Sequence, residues 1–174
     1  MHILIVGSNG VDKSALIGKL LKSVPLPLYG FVTEKETAAQ VGDVERVYIH
    51  GVSGPRTYAQ ENLVGTCIDY HSTRFPTAFD RAAHYLRGIP SRSIVVMDEL
   101  GVMETDARDF CAAVIECLDG DCLVVAAVRD KKSPFLEAVR GHPRAKCFFM
   151  TPENAEALYV EVKAFLEEQI KGRG

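Results

Sequence analysis

Gly7-Ser8-Asn9-Gly10-Val11-Asp12-Lys13-Ser14 decides how the rest of the chain is read. It follows the continuous apolar run His2–Val6, which suits a buried parallel strand. It precedes Leu16, Ile17, Leu20 and Leu21, which recur at helical spacing. A glycine, four residues, a second glycine and Lys-Ser/Thr at a strand-to-helix junction form the phosphate-binding loop pattern. Successive backbone N–H groups in such a loop make an anion-binding concavity, and the helix N-terminus adds roughly half a positive charge. Gly7, Lys13 and Ser14 match at the right spacing, but Asp12 stands where the second glycine belongs. The same stretch also fits an ordinary strand-to-helix turn in which Asp12 caps the helix.

Read as a phosphate loop, the cradle is Gly7, Ser8, Asn9, Gly10, Val11, Asp12, Lys13, Ser14 and Ala15. Lys13 is expected at the β- and γ-phosphates and the Ser14 hydroxyl on Mg²⁺. Asp12 opposes this. A carboxylate about 5 Å from a phosphate charge costs on the order of 3 kcal/mol at an effective dielectric of 20, roughly a hundredfold in affinity. Asp12 thus predicts weakened triphosphate binding or a distorted empty loop, unless its side chain points to solvent.

A second motif names the same chemistry. Ser93-Ile94-Val95-Val96-Met97-Asp98-Glu99 is an apolar strand ending in two carboxylates. At the carboxyl end of a parallel strand they lie where α/β sheets bind ligands. Asp98 is placed to hold Mg²⁺ and Glu99 to polarise the attacking water, with Lys13 neutralising charge. The structural alternative is an Asp-Glu pair capping the next helix.

These residues resemble the small P-loop nucleoside-triphosphatase family that includes the cancer-related nucleoside-triphosphatase. The matching stretches are Gly7–Ser14, Tyr29–Glu34, Val64-Gly65, Met97–Glu104 and Thr151–Asn154. The resemblance implies Mg²⁺-dependent hydrolysis of ATP, GTP and other nucleoside triphosphates. It also implies a RecA-like sheet in which another strand separates the lysine-loop strand (Walker A) from the acidic strand (Walker B). The chain departs from the family pattern at Asp12 (glycine), Ser14-Ala15 (two threonines), Thr37 (arginine) and Ala155 (arginine). The metal-binding acids look intact and the triphosphate grip weakened. A catalytically impaired nucleotide-binding or scaffold protein is therefore the second expectation, and a small-molecule kinase the third.

Working outward, short apolar runs alternate with amphipathic segments. Strands are expected at Leu28–Thr33, Val44–His50, Val52–Tyr58, Ser93–Met97, Cys122–Val128 and Ala145–Met150. Helices are expected around Lys13–Ser23, Phe75–Leu86, Ala107–Cys117 and Pro134–Arg140 and from Thr151 onward, with Thr151 as cap and Pro152 at the first turn. The expected fold is a three-layer α/β/α P-loop NTPase fold, with a mostly parallel RecA-like sheet and a β-hairpin insertion at roughly 43–60. Residues 1–174 suit one domain.

Composition narrows the function classes. The 174 residues carry 20 Lys+Arg and 23 Asp+Glu, a formal net charge of −3, which argues against a dedicated nucleic-acid binder. No apolar run approaches the about 20 residues of a membrane helix, and the N-terminus lacks a signal-peptide pattern. The five cysteines form no CxxC and read as small hydrophobes in a reducing cytoplasm. Arg129-Asp130-Lys131-Lys132 is either a basic lid over phosphates or a solvated loop. Tyr29 and Phe31 are core or base-stacking residues. His71, beside Tyr70 and Arg74, lines the cleft or lies exposed.

Overall fold

The computed structural model describes residues 1–36, 44–68 and 71–173. Thr37 and Tyr70 lie outside the described residues. The element order is β1 (His2–Gly7), α1 (Lys13–Leu21), β2 (Leu28–Lys35), β3 (Val44–Gly51), β4 (Leu63–Ile68), β5 (His71–Arg74), α2 (Pro76–Ala82), β6 (Ile94–Leu100), α3 (Arg108–Asp119), β7 (Leu123–Arg129), α4 (Pro134–Arg140), β8 (Ala145–Phe149) and α5 (Ala155–Lys171). Short 3₁₀ turns at Gln60–Asn62 and Ala83–Leu86 precede β4 and extend α2. Among the described residues no helix is long and apolar enough to cross a membrane.

All eight strands form one sheet in the order β5-β4-β3-β2-β6-β7-β1-β8. The pairs β2–β6, β6–β7, β7–β1 and β1–β8 are parallel, and β7 separates β1 from β6, as the RecA-like expectation requires. The central strands β1, β6 and β7 are apolar on both sides because both sides are covered. Leu4, Val6, Val95, Met97, Val124 and Ala126 pack under α2, α3 and α4. Ile3, Ile5, Ile94, Val96, Val125 and Ala127 pack under α1 and α5. The period-2 alternation of side chains thus builds the three layers directly.

The insertion differs from the expected hairpin. Val52–Tyr58 is not a strand. Gly54 has φ +140°, and Pro55 has no N–H for a ladder. The side chain of Asn62 instead gathers this loop, donating to the carbonyls of Thr57 and Ile49. β3 pairs antiparallel with β2 on one side and β4 on the other, and β5 adds a further antiparallel strand beyond β4. The start of α5 also differs: Asn154 accepts from the Thr151 N–H and donates to the Phe149 carbonyl, both at 2.9 Å. That clasp makes residues 151–154 a turn, so the helix begins at Ala155 rather than at Pro152. The helix expected at Phe75–Leu86 becomes α-helix to Ala82 and 3₁₀ thereafter.

Candidate active site

The carboxyl ends of β1, β6 and β7 lie side by side, with Gly7 level with Arg129 across the β1–β7 ladder. The turn after Gly7 carries Lys13 inward at 2% exposure. Its ammonium group has three protons to place, and three oxygens take them. They are the Gly7 carbonyl at 3.1 Å, the Ser8 carbonyl at 2.9 Å and Glu99 Oε2 at 3.3 Å. One residue on, Ser14 Oγ donates to Asp98 Oδ1 at 2.8 Å.

Consecutive strand residues normally face opposite sides of a sheet, yet Asp98 and Glu99 both reach this cleft. A β-bulge accounts for it. Met97 pairs with Ala126 and Leu100 with Val128, so β6 spends one residue more than β7 over the same length. Thr33 on β2 secures the bulge: its hydroxyl donates to the Asp98 carbonyl at 3.2 Å and accepts from the Glu99 N–H at 3.3 Å.

Arg129, the last residue of β7, places Nε 2.6 Å from Glu99 Oε1. One carboxylate therefore bridges two cations, Lys13 and Arg129. Burial pushes the Asp98 carboxyl above the usual range, opposed by the Ser14 hydrogen bond. Glu104, 1% exposed, accepts from the Gly101 N–H, and burial raises its carboxyl to about 7. Beside these charges opens a cleft of about 170 Å³ that continues past Glu99 and Arg129 to the strands β2, β3 and β4.

Asp12 is the cap of α1, its Oδ1 accepting from the Ala15 N–H at 2.9 Å. The Lys13 N–H is also engaged, bonding the Val11 carbonyl at 3.0 Å across a tight turn at Asp12 with φ −83° and ψ 73°. Two N–H groups at the helix start are therefore satisfied within the loop. Asp12, Ala15 and Ala155, three of the departures from the family pattern, line one pocket between α1 and α5, where Lys19 bridges to Glu156 and covers the Tyr159 ring.

Lys13, Ser14, Asp98 and Glu99 thus meet, while Ser8, Asn9 and Gly10 form the exposed rim of the turn and Val11 packs inward. Arg129 belongs with Glu99, but Lys131 and Lys132 are exposed. Phe31 is core, and Tyr29 lies at the opposite end of β2, paired with Val95. His71 and Arg74 sit exposed on the edge strand β5, away from the cleft. Sequence reading missed the bridging role of Thr33 and the pairing of Arg129. The signal for Arg129 was its place at the carboxyl end of a central strand.

A family model described as NTPase matches residues 2–163. The cancer-related nucleoside-triphosphatase homolog of Bos taurus is 30% identical, over 98% of this chain and 98% of its own. Nucleoside-triphosphatase THEP1 of Methanothermobacter thermautotrophicus is 27% identical, over 93% of this chain and 94% of its own. The crystal structure of THEP1 from the hyperthermophile Aquifex aeolicus shares the fold, with a TM-score of 0.73 at 21% identity over 96% of this chain and 99% of that one. Matched across nearly its whole length, the chain belongs to the small nucleoside-triphosphatase family that includes THEP1 and the cancer-related nucleoside-triphosphatase.

Proposed function

We propose that the chain, acting as one domain, is a Mg²⁺-dependent nucleoside-triphosphate phosphohydrolase that converts ATP, GTP and related triphosphates to diphosphate and phosphate. The observation that carries this reading is the meeting of Lys13, Ser14, Asp98 and Glu99 at the ends of β1 and β6. Ser14 Oγ and Asp98 Oδ1 are two hard oxygen donors 2.8 Å apart. That suits Mg²⁺, which keeps several waters and takes only one or two protein oxygens. When bound there, the ion neutralises charge on the phosphate oxygens.

Lys13 and Arg129 are the cations that would meet the γ-phosphate. Both are held by Glu99. Triphosphate oxygens compete for them, and the carboxylate they release is free to accept a proton from the attacking water. Asp12 works against loading, because its carboxylate already occupies the Ala15 N–H. A slow enzyme is the expected consequence. That same contact favours a second reading, a nucleotide-binding protein without turnover. Five free thiols suit a reducing, cytoplasmic setting.

The test is release of inorganic phosphate from Mg-ATP and Mg-GTP by the wild type and by Glu99→Gln. Release abolished in Glu99→Gln is expected. Equal release by both would remove Glu99 from its role as base. Nucleotide binding by calorimetry with no release from the wild type would favour the second reading.

A further inference from the structure

Neither ladder flanking β6 supports Glu99. The β2–β6 ladder ends with Val32 opposite Asp98, and the β6–β7 ladder passes from Met97 to Leu100. Among the described residues Glu99 therefore has no partner in either register. Its carboxylate is fixed at the tip, where Oε2 meets Lys13 at 3.3 Å and Oε1 meets Arg129 at 2.6 Å. Its backbone is fixed by Thr33, whose hydroxyl accepts from the Glu99 N–H at 3.3 Å.

Thr33 is a stiff anchor. Its own register partner on β3 is Ile49, a core residue at 1% exposure, so β2 is held from the side away from β6. Phe31 pairs with Met97 on the sheet face covered by α2 and α3, and residues two apart share a face. Thr33 therefore follows Phe31 onto the face where the cleft opens. A β-branched side chain has few rotamers to choose from. The hydroxyl proton goes to the Asp98 carbonyl at 3.2 Å, which leaves the oxygen lone pairs for the Glu99 N–H. Both groups belong to the peptide unit between Asp98 and Glu99, so one short side chain grips that unit at two points.

A triphosphate removes the contacts at the tip, because both cations turn to its oxygens. The contact at the backbone is untouched by that exchange. We propose that Thr33 is a positioning residue for hydrolysis: it keeps the Glu99 carboxylate aimed at the attacking water after Lys13 and Arg129 have passed to phosphate. This role rests on the nucleoside-triphosphatase reading of the site. Asp98 depends on Thr33 less, since it also has the Ser14 hydroxyl and its register partner Val32. Loss of the Thr33 hydroxyl should therefore fall on turnover and spare binding of the nucleotide and its metal ion.

The experiment compares Thr33→Val, which keeps the branched shape and removes the hydroxyl, with Thr33→Ser, which keeps the hydroxyl. In steady-state phosphate release from Mg-ATP, Thr33→Val is expected to lower kcat about 10- to 100-fold, the cost of a misplaced catalytic group, with KM unchanged. Thr33→Ser is expected to restore most of that loss. Affinity for a non-hydrolysable Mg-ATP analogue, read by calorimetry, is expected to be the same in all three proteins. A further readout does not need turnover: hydrogen exchange of the Glu99 amide, followed by NMR with the analogue bound. Exchange should be slow in the wild type and Thr33→Ser and fast in Thr33→Val. An unchanged kcat in Thr33→Val, or an equal loss in Thr33→Ser, would overturn the positioning role. So would a fall in kcat matched by lost analogue affinity, which would place the effect at Asp98 and the metal ion. A protected Glu99 amide in a wild type that binds the analogue but releases no phosphate from Mg-ATP would instead tell against the triphosphatase reading, and would reduce Thr33 to a structural tether.

Discussion

Replacing Asp12 by glycine should tighten triphosphate binding. The carboxylate sits on the helix N-terminus, with its oxygen 2.9 Å from the Ala15 nitrogen, where phosphate oxygens are expected to compete. At about 5 Å from a phosphate charge, repulsion is about 3 kcal/mol at a dielectric of 20 and about 1 kcal/mol at that of water. Asp12 is exposed, so the gain should fall between these limits, roughly 5- to 150-fold in affinity. The cost to folding is small, since glycine at an N-cap loses only a few tenths of a kcal/mol. Asp12→Asn separates two causes: it keeps a cap-competent side chain but removes the charge. If charge dominates, Asn and Gly gain alike, and added salt narrows their advantage over the wild type. If occupation of the Ala15 N–H dominates, only Gly gains. Calorimetry with a non-hydrolysable Mg-ATP analogue is the assay. Unchanged affinity in both variants would refute the reasoning.

Three further outcomes are expected. Arg129→Ala should lower kcat about 10- to 100-fold, because one cation facing the developing phosphate charge is lost, and steady-state phosphate release checks this. Glu104 is protonated more readily folded, at about 7, than its ordinary 4.5. Its stabilising effect is complete below about pH 4.5 and is lost as pH rises to about 7, on the order of 3 kcal/mol in all. Urea melts at pH 5 and pH 8 should therefore differ less in Glu104→Gln than in the wild type, and an identical pH dependence in both would contradict this. Gly30→Ala should destabilise by about 2–4 kcal/mol, seen as a lowered urea midpoint. Gly30 has φ +101°, and an added Cβ would run into the Val96 carbonyl across the β2–β6 pair.

The central strands and their loops were legible because local and tertiary signals agree there. The run His2–Val6, the turn and the spacing of Leu16, Ile17, Leu20 and Leu21 each specify one structure. The antiparallel extension was not legible. In Leu63–Ile68, Gly65 reads as a break, but its missing side chain lets Met103 lie against the strand. His71–Arg74 has four exposed polar-facing positions and no apolar period at all; only pairing with β4 makes it a strand. Val52–Tyr58 failed in the opposite sense, since apolar residues around Gly54-Pro55 suggested a ladder the backbone cannot make. At the candidate site, residue types and spacing singled out Lys13, Ser14, Asp98 and Glu99, which the fold brings together. The bulge that aims both carboxylates at one cleft depends on β7, a separate strand, and so does the pairing of Arg129 with Glu99.

The most direct test is a single-turnover experiment with enzyme in excess over γ-labelled Mg-ATP, comparing wild type with Glu99→Gln. Both proteins should bind the nucleotide, and only the wild type should release labelled phosphate. Release at equal rates, or none from a wild type saturated with nucleotide, would contradict hydrolysis driven by Glu99.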